Sequence, residues 1–178
     1  MSETRRVDPT VSGLILIGFI TLLFGIVGVQ IFNGSDYTVM FNSALYFLLP
    51  ITGIMLMFAY MAGKCGNAFA TALFAFIAMV FFGTGWLATG AMALDNSLMF
   101  YIVTFFFVVF ALIAALIGAP KLLVLLLVLV ALLYAFFGLY FTALEEPYAG
   151  AVGLFGILSF IVATYMAIGL ATEKLPVV

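Results

Sequence analysis

The chain alternates between long apolar stretches and short polar segments that contain turn-forming residues. Each apolar stretch holds about 20 residues, the number that an α-helix needs to cross the hydrocarbon core of a bilayer. The pattern therefore predicts transmembrane helices over residues 11–32, 41–62, 68–90, 98–118, 122–143 and 149–171. Because the connections are short, successive helices must run antiparallel. The sequence thus predicts an all-α membrane protein, an up-and-down bundle of six transmembrane helices that forms a single domain over residues 1–178.

Charge separates the two sides of the predicted bundle. The basic residues occur only at the two chain ends and in the second and fourth connections, as Arg5, Arg6, Lys64, Lys121 and Lys174. The first, third and fifth connections contain acidic residues and no Lys or Arg. Since connections rich in Lys and Arg stay in the cytoplasm, the pattern predicts that both termini are cytoplasmic.

The composition agrees with a membrane protein and leaves no room for a soluble domain. Hydrophobic residues make up 68% of the 178 residues and charged residues 7%, whereas a soluble domain carries roughly 25% charged residues. The very short connections favour a multi-pass protein of a prokaryotic plasma membrane. Any functional residues are therefore expected inside the predicted spans.

The spans lack the side chains that catalysis usually needs. No charged residue lies in the middle of a span, the chain has no histidine, and its one cysteine, Cys65, excludes an intrachain disulfide. No metal-ligand cluster and no pair of nucleophile and base can be recognised. We therefore expect neither an enzyme nor a cofactor, and no nucleic-acid partner. A small solute and the lipid bilayer are the expected partners.

The third span carries one small, mildly polar helical face. Its members recur at helical spacing and are Asn67, Thr71, Ala75, Ala78, Gly85 and Thr89. Such a face either packs tightly on another helix or lines a path for a solute. On the second interpretation Asn67 and Thr71, together with Asn42 and Ser43 of the second span, are the predicted substrate pathway.

Two other spans have distinctive patterns. Residues 122–133 are almost entirely Leu and Val, so we expect the fifth helix to contact lipid or a neighbouring subunit. The sixth span carries Gly150, Gly153 and Gly156, a spacing that lets two helix backbones approach closely. We expect this glycine face to pack against another helix.

The stretch 63–69, GKCGNAF, resembles the start of the third helix in the acetate uptake transporter family, the succinate–acetate permeases. That family has a short basic loop leading into Gly-Asn-x-Phe, which Gly66, Asn67 and Phe69 reproduce here. The other positions that resemble the family are Thr71, Ala72, Phe74, Asp8-Pro9, Gly13-Leu14, Gly150, Gly153, Ser159 and Tyr165.

The resemblance implies a homohexamer in which each protomer has its own pore. It further implies transport of acetate or a similar small carboxylate, with a proton or by facilitated diffusion. Family members have a hydrophobic constriction at mid-membrane, and the matching positions in this chain are Ile17, Ile77 and either Val130 or Leu133. If the register differs by one or two residues, Phe19 or Phe76 takes the place of the isoleucines.

Three functional hypotheses follow. The first is a transporter or channel for acetate-like monocarboxylates, which passes the neutral acid or the anion together with a proton. The alternative is a channel for a neutral solute such as urea, a short amide or ammonia, because no cationic residue in the spans would attract a carboxylate. The third is a membrane scaffold that transports nothing.

Overall fold

The computed structural model describes residues 9–33, 44–88 and 96–172. Within these ranges the secondary structure is helical, with no strand, and includes six helices long and apolar enough to cross a membrane. The helices are α1 (Thr10–Phe32), α2 (Leu48–Lys64), α3 (Ala68–Ala88), α4 (Asn96–Leu116), α5 (Lys121–Ala143) and α6 (Glu146–Thr172). The prediction of an all-α membrane protein with six candidate spans is thus confirmed.

Residues with special backbone properties set the helix ends. Gly66 and Gly118 have φ angles of +79° and +71°, and each lies in the short connection after an even-numbered helix. Asn67 is the N-cap of α3, because its Oδ1 accepts a hydrogen bond from the N–H of Ala70 at 3.0 Å. α6 begins three residues earlier than the apolar pattern suggested because Pro147 fits into a first helical turn, where no N–H is required.

The second span is helical from residue 44, but it is interrupted at Phe47, just before α2. The interruption lies within one turn of Pro50, which has no N–H to donate to the preceding turn. Pro50 therefore sits in the first turn of α2 rather than in the middle of a continuous helix.

The odd-numbered helices form the inside of the bundle. Half or more of the residues in the spans of α1, α3 and α5 are buried (56%, 50% and 50%), against 28%, 28% and 39% in α2, α4 and α6. α5 thus has one face inside the bundle, and the expectation that it contacts lipid or a neighbouring subunit stays a prediction for its exposed side chains, such as Leu125 and Val128. A Leu-rich helix suits a protein interior as well as lipid, because both environments are apolar.

α1 and α6 make the most extensive helix contact in the described structure. A Cβ placed on Gly28 would lie 2.5 Å from the backbone nitrogen of Gly153, and one on Gly156 would lie 2.6 Å from the carbonyl oxygen of Thr21. Only glycine fits at these positions, so the predicted close approach of the α6 glycines to another helix is confirmed.

Candidate functional site

A cavity of about 100 Å³ lies between the three inner helices. α1, α3 with its capping residue, and α5 supply all but one of the residues around it. The lining residues are Thr10, Leu14, Ile17, Ile20, Thr21, Phe24, Asn67, Phe69, Ala70, Leu73, Phe74, Ile77, Phe81, Phe107, Leu123, Leu126, Leu127, Val130, Leu133 and Tyr134. None of these side chains is charged, and most are aliphatic or aromatic, so the site is apolar.

The cavity extends along the bundle axis from one end of the inner helices. Thr10, Asn67 and Leu123 lie near the starts of α1, α3 and α5, and they form its outer end. Phe24 lies fourteen residues after Thr10, which is about 21 Å along the axis at 1.5 Å per residue. Asn67 is an exposed residue, so the lining at the outer end continues to the surface of the described protein.

Four polar side chains interrupt the apolar lining, and they lie at two depths. Thr10 and Asn67 are at the outer end, whereas Thr21 and Tyr134 lie deeper. The Oδ1 of Asn67 is engaged in the cap of α3, which leaves its amide N–H groups to face a solute. Thr21 Oγ1 donates to the carbonyl of Gly18 at 3.0 Å, so toward a solute this hydroxyl can act only as a hydrogen-bond acceptor.

Aromatic rings close the inner end of the cavity. Phe24 meets Phe137 edge to face at 5.0 Å between ring centroids, and Phe137 stacks on Phe100 at 5.3 Å. Phe100 in turn stacks on Phe141 at 5.2 Å. We call Phe24, Phe100, Phe137 and Phe141 the aromatic cluster. The first three are at most 1% exposed, so the cluster is a packed part of the interior next to Phe24 at the inner end of the cavity.

Three residues predicted for the constriction are brought together on the cavity wall. Ile17, Ile77 and Val130 all line it, and they are 8%, 4% and 5% exposed. Leu133, the other candidate in α5, lines it as well. Whether these residues limit the passage of a solute stays a prediction.

Phe19 and Phe76 lie elsewhere. Phe19 is 51% exposed, because two residues of helix turn it about 200° away from Ile17. Phe76 packs instead on α4, with centroid distances of 5.4, 5.2 and 5.1 Å to Phe106, Phe107 and Phe110. Neither of these two aromatic rings is among the residues that line the cavity.

The described part of the small face of α3 packs on α2 and, apart from Asn67, does not line the cavity, whereas Thr89 lies outside the described residues. A Cβ on Gly85 would lie 2.8 Å from Leu49 Cγ, and one on Gly63 would lie 3.5 Å from Thr71 Oγ1. Thr71 donates to the carbonyl of Asn67 at 2.8 Å and faces shallow grooves beside α2. Of the predicted pathway, only Asn67 thus lines the cavity. Asn42 and Ser43 lie outside the described residues.

Sequence reasoning missed the two deeper polar residues, Thr21 and Tyr134. Tyr134 was visible as a hydroxyl in the middle of a Leu-rich span, which is a costly place for a polar group without a function. The Leu- and Val-rich pattern around it favours contact with lipid or a neighbouring subunit and gives no indication that Tyr134 lines a cavity. Across the described ranges, no three His, Cys, Asp or Glu side chains come together as a metal site would require.

No protein-family model, no characterised protein and no solved structure matches this chain. The function must therefore be argued from the cavity and its lining.

Proposed function

We propose that the protein is a transporter or channel that moves acetate or a similar small monocarboxylate across the membrane through a pore in each protomer. The observation that carries the proposal is the apolar cavity between α1, α3 and α5, which begins at an exposed polar residue and ends at the aromatic cluster. Six membrane-spanning helices around such a cavity are compatible with a solute pathway.

The size of the cavity supports a very small solute. An apolar cavity of about 150 Å³ in another protein binds benzene, which has six heavy atoms. In proportion, the cavity of about 100 Å³ holds about four heavy atoms. Acetic acid has four.

The uncharged lining supports passage of a neutral species. Moving an isolated carboxylate from water into an apolar site costs far more than moving a neutral molecule, and a hydrophobic constriction offers no ligands to replace the hydration shell. The undissociated acid avoids this cost. A carboxylate would therefore take up a proton from the aqueous phase before it enters the cavity and would cross as the acid.

The distribution of basic residues supports the orientation. Lys64 and Lys121 stand next to the starts of α3 and α5, at the end of the bundle where the cavity begins. By the positive-inside rule this end is cytoplasmic, as are both termini. The resemblance to the succinate–acetate permeases further suggests a homohexamer in a prokaryotic plasma membrane.

A channel for urea, short amides or ammonia is the second candidate. It is favoured by the lining, which includes no cationic side chain to attract a carboxylate. Urea has the right number of heavy atoms but needs hydrogen-bond partners on all sides, and only four of the described residues that line the cavity have polar side chains. A solute with an apolar end fits the lining better.

The test is uptake of labelled acetate into proteoliposomes, with and without an inward proton gradient and with labelled urea in parallel. Empty liposomes are an essential control because acetic acid crosses lipid unaided. Saturable acetate uptake above this background, driven by the proton gradient, is the expected result. Urea flux without acetate flux would overturn the proposal in favour of the second candidate. Flux of neither solute would favour a scaffold.

A further inference from the structure

The strongest unexplained feature of the cavity is the side chain of Tyr134. It is 3% exposed and lines the cavity in the half nearer the aromatic cluster. Its hydroxyl group is not one of the fully buried polar atoms without a partner, and none of the side-chain hydrogen bonds seen among the described residues involves it. The hydroxyl is therefore available to donate a hydrogen bond to a ligand in the cavity.

The ring of Tyr134 is held in place by neighbouring aromatic residues. It stacks on Phe107 at 5.6 Å, and its centroid lies 6.1 Å from those of Phe100 and Phe137. These contacts fix the ring before any solute arrives. A hydroxyl on a fixed ring loses little conformational entropy when it binds, which favours its use as a recognition group.

Thr21 lies at a comparable depth on α1. On α1, Thr21 lies eleven residues after Thr10, the first residue of that helix to line the cavity. On α5, Tyr134 lies eleven residues after Leu123, the first lining residue there, so the two side chains are at a similar depth. Because Thr21 already donates to Gly18, it can only accept, whereas Tyr134 can donate. An undissociated carboxyl group or a primary amide has one carbonyl acceptor and at least one donor, which complements this pair.

We infer that Tyr134 is the specificity-determining residue of the cavity, donating a hydrogen bond to the carbonyl oxygen of a small neutral acid or amide. The inference rests on the proposed function for the identity of the transported solute, but binding can be measured without transport. The site takes an uncharged ligand of about four heavy atoms, with a carbonyl group and a methyl-sized tail. A larger neutral carbonyl compound such as benzamide is excluded by size.

Acetamide is the probe that tests the inference directly, because it has the same number of heavy atoms as acetic acid and is uncharged at every usable pH. Binding to the purified full-length protein in detergent is measured by saturation-transfer NMR. The variants are Tyr134→Phe, which removes only the hydroxyl, and Tyr165→Phe, a matched control on the partly exposed face of α6. Circular dichroism and gel filtration establish that both variants are folded.

We expect acetamide to bind the wild type and the Tyr165→Phe protein equally, and Tyr134→Phe about fivefold more weakly. In proteoliposomes, the KM for acetate should rise by a similar factor while the maximal rate changes less. Benzamide should bind none of the three proteins.

The two proposals fail separately. Equal acetamide binding by a folded Tyr134→Phe protein overturns the role of Tyr134, even if acetate uptake is normal. Tyr134-dependent binding in a protein that transports no acetate upholds the inference and overturns the transport proposal. Absence of acetamide binding by the wild type overturns the inference, whatever the uptake assay gives.

Discussion

Phe24 and Phe137 make an edge-to-face contact with 5.0 Å between their ring centroids, and they are 1% and 0% exposed. Phe24 also lines the cavity, whereas Phe137 lies beyond it. The contact therefore joins α1 to α5 at the depth where the cavity ends. If a solute crosses the bundle along the cavity axis, this pair must separate.

Replacing Phe24 by alanine should open the inner end of the cavity. We expect faster acetate flux and measurable flux of a longer acid such as butyrate, because the ring that closes the axis is gone. Truncating a buried phenylalanine also costs about 3–5 kcal/mol, so the variant should unfold at a lower temperature. Phe19→Ala, on the exposed face of the same helix, is the control and should change neither property. A folded Phe24→Ala protein with unchanged size selectivity would place the closure elsewhere.

The positions of the helices could be predicted from the sequence, but not which face of each helix points into the bundle. Both outcomes have a physical reason. Hydropathy over about 20 residues reports the thickness of the bilayer, so the spans could be read directly. It does not distinguish lipid or a neighbouring subunit from the protein interior, so it could not indicate that Val130 and Tyr134 of α5 line the cavity.

The site was predicted only in part because a small polar face has two physical explanations. On α3 that face packs on α2 through Gly85, and the larger side chains such as Ile77 turn toward the cavity. Ile17, Ile77 and Val130 were proposed from the family resemblance, not from periodicity. The aromatic cluster brings together α1, α4 and α5, and no pattern within one span could have indicated it.

Filling the cavity should block transport without disturbing the bundle surface. Val130 lines the cavity and is 5% exposed, whereas Val128 on the same helix is 41% exposed. In a cavity of about 100 Å³, the ring of Val130→Phe takes up much of the space that a solute needs. We expect acetate uptake to fall at least tenfold in Val130→Phe and to stay normal in Val128→Phe. Equal uptake by the two folded variants would show that the cavity is not the pathway.

The contact between α1 and α6 should tolerate no added methyl group at its centre. A Cβ on Gly156 would lie 2.6 Å from the carbonyl oxygen of Thr21, whereas a Cβ on Gly53 in α2 meets nothing within 4 Å. Gly156→Ala must therefore push the helices apart, at a cost of about 1–3 kcal/mol. Gly53→Ala should be neutral or stabilising by up to about 1 kcal/mol. Thermal unfolding in detergent measures the difference, and equal melting temperatures would contradict the packing described here.

Asn67 combines a structural and a proposed transport role, and a suitable substitution separates them. Its Oδ1 caps α3 at the N–H of Ala70, so Asn67→Leu would remove the cap as well as the amide and would destabilise the helix by about 0.5–2 kcal/mol. Asn67→Asp keeps an oxygen for the cap, and its negative charge is favourable at a helix N-terminus. The variant loses the amide donor and places a negative charge at the entrance. We therefore expect Asn67→Asp to keep the wild-type melting temperature but to take up acetate several-fold more slowly, with urea uptake unaffected. Normal stability together with normal acetate uptake in Asn67→Asp would show that Asn67 is not part of the pathway and serves only to cap α3.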